Sequence, residues 1–349
     1  MTKYKKILLI QTAFPGDVVL TTPLVNALKK VFPESYLTVM TTPQGVQLLK
    51  DSKSIDSLLS YDKKGRDKGL LSFFRLLKDL RKEQFDLCLS PHPSSRTALM
   101  AFASSAGTRV GFSHASLSFF YNKKVLRNKD LHEVERILSL LTPLEVDTGG
   151  IDKTPALEIS PETLAKAEAI LNSVGITGGE QIVAVAPGSV WGTKRWTAEG
   201  YAALVDVLMK KYGIKVILIG SPAERDTGNT ILDLAKNKPV DLIGKTGLSD
   251  LVAVIDRCSL LIGNDSAPGH IAAARSVPVV SIFGPTAPSF GYAPYGKNVQ
   301  IVEKEIPCRP CHHHGPMKCP EGHFRCMRDI RVEDVMFAVD MLLNSRQGS

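Results

Sequence analysis

At 349 residues the chain suits two domains of ordinary size, each large enough to bury its own core. None of its apolar runs reaches the ~18 residues that span a bilayer, which excludes a helical membrane-embedded protein. The formal net charge of +8 is uneven: residues 1–150 hold 22 Lys and Arg against 14 Asp and Glu, while the remainder holds 21 of each. Such a basic half suits an acidic partner (a nucleic acid, an anionic membrane or a polyanionic substrate) or is a plain solvated surface.

Residues 6–11 read as a buried strand. The apolar patch stops at Gln11 and Thr12, too soon for a signal-peptide core, so the expected location is cytoplasmic. Residues 12–17 form a turn, and 18–31 continue as a helix with apolar positions near 3.6 spacing and Pro23 within its first turns. A strand over 36–40, a helix from about 43, a short apolar run at 58–59 and a helix over 70–83 follow. Strands over 85–90 and 108–111 and a helix over 133–141 complete an alternating βα half. The linker falls within 146–160, marked by Gly149, Gly150 and Pro155. The second half reads as helix 162–172, strand 182–186, helix 198–212, strand 215–219, helices 223–236 and 248–256, a βαβ unit over 259–288, and a terminal helix over 332–343.

That βαβ unit organises the second half. Its crossover makes the two strands parallel, and ligands of such sheets lie beyond the carboxyl ends of the strands. Asp265 and Ser266 stand at that end, beside a helix start whose free N–H groups favour anions. A phosphorylated nucleotide is expected there. Taken alone, Asn264-Asp265-Ser266 also suits a simple helix cap, with Pro268 in the first turn.

Residues 186–196 end another strand, with glycines, hydroxyls and Lys194 suited to phosphate oxygens; ordinary surface cations would equally account for Lys194 and Arg195. Glu224 stands at a helix start, where the dipole favours a carboxylate in any case. Asp17 follows Gly16 at the end of the first strand and reads equally as a helix cap or as a functional carboxylate. The absence of Asp-x-Asp, of a Walker-type loop and of Gly-x-Gly-x-x-Gly argues against metal-dependent sugar-nucleotide binding, phosphoryl transfer and dinucleotide redox work.

Cys308, Cys311, Cys319 and Cys326 are spaced C-x2-C-x7-C-x6-C, with His312 to His314 and His323 interleaved. Cytosolic cysteines are thiols or metal ligands, and this spacing is of the kind used for structural zinc. Cys88 and Cys258 lie in apolar runs and read as core thiols. Residues 63–78 join a basic run to an amphipathic helix whose leucines are expected to pack on the sheet; its cations remain available to an anionic membrane or lipid substrate. Arg96, Arg109, His114, Lys123 and Lys124 are further candidates for an anionic acceptor.

Pro15-Gly16-Asp17 followed by Thr21-Thr22-Pro23-Leu24, the Lys194-x-Trp196 element, and Gly263-Asn264-Asp265-Ser266 with His270 and Phe283-Gly284-Pro285-Thr286 occur in this order. Together they resemble the ADP-heptose:lipopolysaccharide heptosyltransferases, and the cysteine-rich tail is similar to that of heptosyltransferase II. The resemblance implies two Rossmann-like, doubly wound α/β domains facing a cleft (the GT-B type). Residues 1–155 would bind the acceptor, and 156–349, with the Cys-rich tail and terminal helix, the ADP-sugar.

It implies that Asp17 is the general base and that Ser189, Lys194, Glu224, Asp265, Ser266, Gly269 and His270 bind the nucleotide sugar. The donor would be ADP-heptose and the acceptor the lipid-linked, anionic inner core of lipopolysaccharide. No cofactor for catalysis and no nucleic acid is implied, and peripheral contact with the inner face of the cytoplasmic membrane is compatible. The chain departs from the family at Ala267-Pro268-Gly269 and at Val190, which stands where a second hydroxyl residue is common. Alternatives are a related transferase with another heptose acceptor or nucleotide sugar, or a zinc-bearing nucleic-acid-binding protein. The second lacks a recognisable groove-reading or stacking module.

Overall fold

The computed structural model describes residues 4–344. The chain divides into two compact units, Met1–Glu158 and Ile159–Ser349. The first runs β1 (Lys6–Gln11), α1 (Pro15–Val31), β2 (Tyr36–Thr41), α2 (Pro43–Leu49), β3 (Ser57–Ser60), α3 (Leu70–Glu83), β4 (Leu87–Ser90), α4 (Ser95–Ala103), β5 (Thr108–Phe112), β6 (Lys123–Val125) and α5 (Glu133–Leu138). All its strands are parallel, in the order β3-β2-β1-β4-β5-β6. Ile7, Leu8, Leu9 and Ile10 of β1 are wholly buried, as a parallel strand covered on both faces requires.

The second unit runs α6 (Pro161–Ser173), β7 (Ile182–Ala186), α7 (Ala198–Tyr212), β8 (Lys215–Leu218), α8 (Arg225–Leu234), β9 (Val240–Asp241), α9 (Leu248–Asp256), β10 (Leu260–Asn264), α10 (Ala267–Ala274), β11 (Val279–Ile282), β12 (Val299–Val302), α11 (Arg325–Arg328) and α12 (Val332–Asn344). Its sheet is also parallel, in the order β12-β11-β10-β7-β8-β9. Numbered from its own first strand, this is the same winding as in the first unit. Each sheet therefore reverses direction once, between β1 and β4 and between β7 and β10. These reversals are the points where open α/β sheets hold ligands.

Two doubly wound α/β units are thus present, with local departures from the sequence reading. α1 begins at Pro15, three residues early, because the Phe14 N–H donates to Asp17 Oδ2 at 3.1 Å and proline suits a first helical turn. Pro23 consequently lies in the helix interior, where its missing N–H strips the Val19 carbonyl of a donor. The Thr22 hydroxyl donates to that carbonyl at 2.7 Å and replaces it. The segment expected as one helix over 223–236 is a 3-10 turn, Pro222–Glu224, followed by α8. The short strands β6, β9 and β12 and the helix α4 are additional.

Gly111 on β5 approaches the ring of Tyr121 so closely that an added Cβ would lie 2.6–2.7 Å from three ring atoms. Tyr121 is buried and its hydroxyl donates to Ser90 Oγ at 3.0 Å, so the ring has little room to yield. Gly111→Ala is expected to destabilise the first unit by about 1–3 kcal/mol, read as a lower urea midpoint at unchanged slope.

Candidate active site

In the second unit the reversal between β7 and β10 is built around Asn264, the last residue of β10, which is 1 % exposed. Its Oδ1 accepts from the Trp196 N–H and the Tyr201 hydroxyl, both at 2.9 Å. Its Nδ2 donates to the carbonyls of Pro187 at 2.8 Å and Gly188 at 3.3 Å. One buried amide thus ties the loop after β7 at both ends. Trp196 is fixed further by its indole N–H, which donates to the Ile330 carbonyl at 3.1 Å.

The tied loop delivers Lys194 to the next residue along. Lys194 Nζ donates to Asp265 Oδ2 at 2.5 Å, and the Thr286 hydroxyl donates to the same oxygen at 2.8 Å. Lysine and aspartate are nearly buried, at 13 % and 9 % side-chain exposure, which makes their mutual compensation a requirement. An ammonium has three donors, and only one is engaged here by a carboxylate. Ser266 opens α10 without a side-chain cap; its hydroxyl donates to the Asn264 carbonyl at 3.3 Å, so the helix-cap role expected of its side chain does not hold. Gly269 and His270 are buried in α10.

Ser189 is buried, and its carbonyl accepts from Arg195 Nε at 2.8 Å. Glu224 caps the turn after β8: the Ser221 N–H donates to its Oε2 at 2.5 Å. Its carboxylate lies over Gly188, where any Cβ would collide with it. The structure therefore gathers Ser189, Lys194, Glu224, Asp265 and Ser266 at the carboxyl ends of β7, β8 and β10.

The cysteine-rich tail does something the sequence did not suggest: it roofs this loop. The Thr193 hydroxyl donates to the Pro316 carbonyl, and the His314 ring stacks on Trp191 with centroids 6.3 Å apart. Burial first, then the Lys194 ammonium, hold His314 below the usual histidine range. The expected zinc set does not assemble. Among the described residues no three His, Cys, Asp or Glu side chains converge so as to hold a metal ion. Cys308 Sγ lies 3.8 Å from His323 Nε2, whereas Cys311 is exposed and Cys326 is buried in the hydrophobic core. Burial, with a smaller contribution from the neighbouring thiols, pushes the Cys326 thiol up to about 11. Cys88 and Cys258 are core thiols, each pushed by burial to about 12.

In the first unit Asp17 is the third residue of α1, beyond the carboxyl end of β1. Its charge reaches Glu133, nearly buried at the start of α5 and ion-paired with Arg127 and, at 3.2 Å, with Arg136. Burial raises the Glu133 carboxyl, the Arg127 charge opposes this, and the Asp17 charge adds to it. Across the same β1–β4 reversal, Thr12 Oγ1 and Thr97 Oγ1 lie 3.0 and 3.2 Å from His92 Nδ1, and Lys63 Nζ donates to the Thr12 carbonyl at 3.2 Å. Sequence reasoning missed Asn264, His92 and the Glu133 pair. For Asn264 and His92 the available signal was position, since each stands at the end of a strand at a reversal; nothing local marked the Glu133 pair.

Of the other acceptor-side cations, Arg96 Nη1 donates to the Tyr61 hydroxyl at 2.7 Å. Arg109 is spent at the opposite end of the sheet on the carbonyls of Phe120 and Ala106, at 2.8 and 2.6 Å. It is therefore structural. Lys123 and Lys124 open β6 and are exposed, and burial, then Arg127, lowers His114.

The sequence matches the family described as glycosyltransferase family 9 (heptosyltransferase) over residues 73–321. Lipopolysaccharide heptosyltransferase 3 of Escherichia coli is 30 % identical over 345 residues, covering 95 % of this chain and 97 % of that protein. The crystal structure of a family 9 glycosyl transferase from Veillonella parvula DSM 2008 superposes with a TM-score of 0.88 at 27 % identity, over 98 % of each chain. That of E. coli ADP-heptose lps heptosyltransferase II gives 0.80 at 22 % identity, over 98 % of this chain and 99 % of that one, a likeness of fold.

Asn264→Ala leaves the Trp196 N–H and Tyr201 hydroxyl buried without their acceptor; a loss of about 3 kcal/mol is expected, with faster amide exchange confined first to residues 187–197. Burial, then the charge of Lys63, depress His92 from 6.5 to about 4. The folded state thus binds fewer protons than the unfolded between those values. Stability is expected to fall as pH drops through that window, by about 1.4 kcal/mol per pH unit, and His92→Gln should remove the slope in urea titrations.

Proposed function

This chain belongs to glycosyltransferase family 9 and is a heptosyltransferase of lipopolysaccharide core biosynthesis, and we propose that it moves L-glycero-D-manno-heptose from ADP-heptose to a heptose of the inner core with inversion. The observation that carries the donor assignment is the Lys194–Asp265 pair at the β7–β10 reversal, beside the start of α10. The ammonium N–H groups of Lys194 not engaged by Asp265, together with the positive end of the α10 dipole, complement a diphosphate. Ser189, Glu224, Ser266, Gly269 and His270 are proposed to complete the nucleotide-sugar site, residues 156–349 acting as its domain.

In this reading Asp17 is the general base. It takes the proton from the acceptor hydroxyl as that oxygen attacks the anomeric carbon, and the bond to the ADP oxygen breaks on the far side. Lys194 offsets the charge gathering on the departing diphosphate. Lys63 and Arg96 supply positive charge for an anionic, lipid-linked acceptor.

Asp17→Asn is expected to lower transfer from ADP-heptose by at least about a hundredfold while ADP binding by calorimetry changes less than about threefold. Turnover at the wild-type level would remove Asp17 as the base. Lys194→Ala should raise the donor KM and lower kcat together, and unlabelled UDP- or GDP-sugars should fail to compete with ADP-heptose.

A further inference from the structure

Helix α3 carries more apolar surface than the core uses. Phe73 and Leu80 are buried, and Leu76 and Leu77 pack on the same cluster, so the sheet-facing side is complete. Leu70, Leu71 and Phe74 are 72 %, 83 % and 63 % exposed. The expectation that the leucines of this helix serve packing therefore fails for its first turn. At about 100° per residue, these three share an arc of roughly 140° with Arg75, Lys78, Arg81 and Lys82.

The charge around them has one sign. Residues 63–82 contain eight Lys and Arg against two Asp. Of the two, Asp67 is buried and Asp79 is paired with Lys82 at 2.7 Å. Lys64, Lys68, Arg75, Lys78 and Arg81 are exposed and make no ion pair among the described residues.

We propose that this face of α3, with the loop before it, docks on an anionic lipid bilayer. Leu70, Leu71 and Phe74 would enter the head-group region and the surrounding cations would meet lipid phosphates. A protein partner would bury an interface centre depleted of charge, whereas here cations interleave with the apolar side chains. A nucleic acid would leave three large apolar groups unused. An interfacial helix with basic flanks uses both features. The surface is separate from the residues assigned to donor and base, so its test is independent of them. For an enzyme whose acceptor is a lipopolysaccharide, such docking confines the search for acceptor to the membrane plane.

The test is co-sedimentation of the full chain with vesicles of phosphatidylcholine alone or with ~30 mol% phosphatidylglycerol. Wild-type protein is expected to bind only the anionic vesicles and to be released by ~0.5 M NaCl. The triple variant Leu70→Ser, Leu71→Ser, Phe74→Ser should bind at least about tenfold more weakly, with unchanged circular dichroism and unchanged transfer to a delipidated, water-soluble acceptor. Lys64→Gln, Lys68→Gln, Arg75→Gln and Lys78→Gln combined should abolish the preference for anionic vesicles. The proposal is overturned if wild type ignores anionic vesicles, if the folded triple variant binds them equally, or if the triple variant instead dissociates a dimer in sedimentation velocity.

Discussion

The second unit depends on a single buried amide. A carboxamide at the end of β10 has two acceptor and two donor positions, and here all are used on one neighbouring loop. Aspartate would offer no donor to the Pro187 and Gly188 carbonyls, and leucine would leave every partner unsatisfied in a dry environment. The geometry that brings Lys194 to Asp265 is therefore inherited from the residue before the aspartate. The ion pair itself is a weak source of stability, because desolvation offsets most of its attraction. Its position is what the amide fixes.

The tail adds a second constraint on the same loop. Pro316 receives the Thr193 hydroxyl, and Gly315 is in left-handed conformation against Lys194 and Thr193, where a side chain would be strained and crowded. The segment that spacing alone presents as a metal-binding appendage is thus part of the wall around Lys194. Cys326 and Met327 enter the core shared with β7, β8, β10 and β11. The apolar anchoring of α11 is the physical reason that Cys326 is buried in the core while Cys311 is exposed.

Legibility in the sequence followed burial. The runs 7–10, 182–186 and 260–262 are apolar because both faces of the sheet are covered, and they read unambiguously. The edge strands β6, β9 and β12 were missed because they are two to four residues long and half solvated, so no apolar run marks them. α4 was missed because its Ser95-Arg96-Thr97 start looks like loop, although Ser94 caps it by accepting from the Thr97 N–H. At the site, charged residues next to glycine breaks were visible, whereas Asn264 looked like turn filler. Its role requires knowing that Pro187, Gly188, Trp196 and Tyr201 lie within reach, which is long-range information. On α3 a helical stripe is visible from residue spacing alone, and only the packed structure shows that the stripe is wider than the sheet can cover.

The two units, though wound alike, use charge in opposite ways. Residues 151–349 balance 21 cations with 21 anions, and the decisive pair, Lys194 with Asp265, is held in a nearly dry setting. There a small displacement of one partner changes the local field strongly, which suits the recognition of a compact diphosphate. Residues 1–150 leave their excess cations in solvent on α3 and its preceding loop, where each is screened and individually weak. Exposed charges act collectively on an extended anionic surface and contribute little to a point contact. A buried neutralised pair and an exposed unneutralised cluster are therefore different instruments: in the proposed function the first serves a small ligand and the second a broad surface. A substrate pair of one nucleotide sugar and one lipid-linked saccharide calls for both.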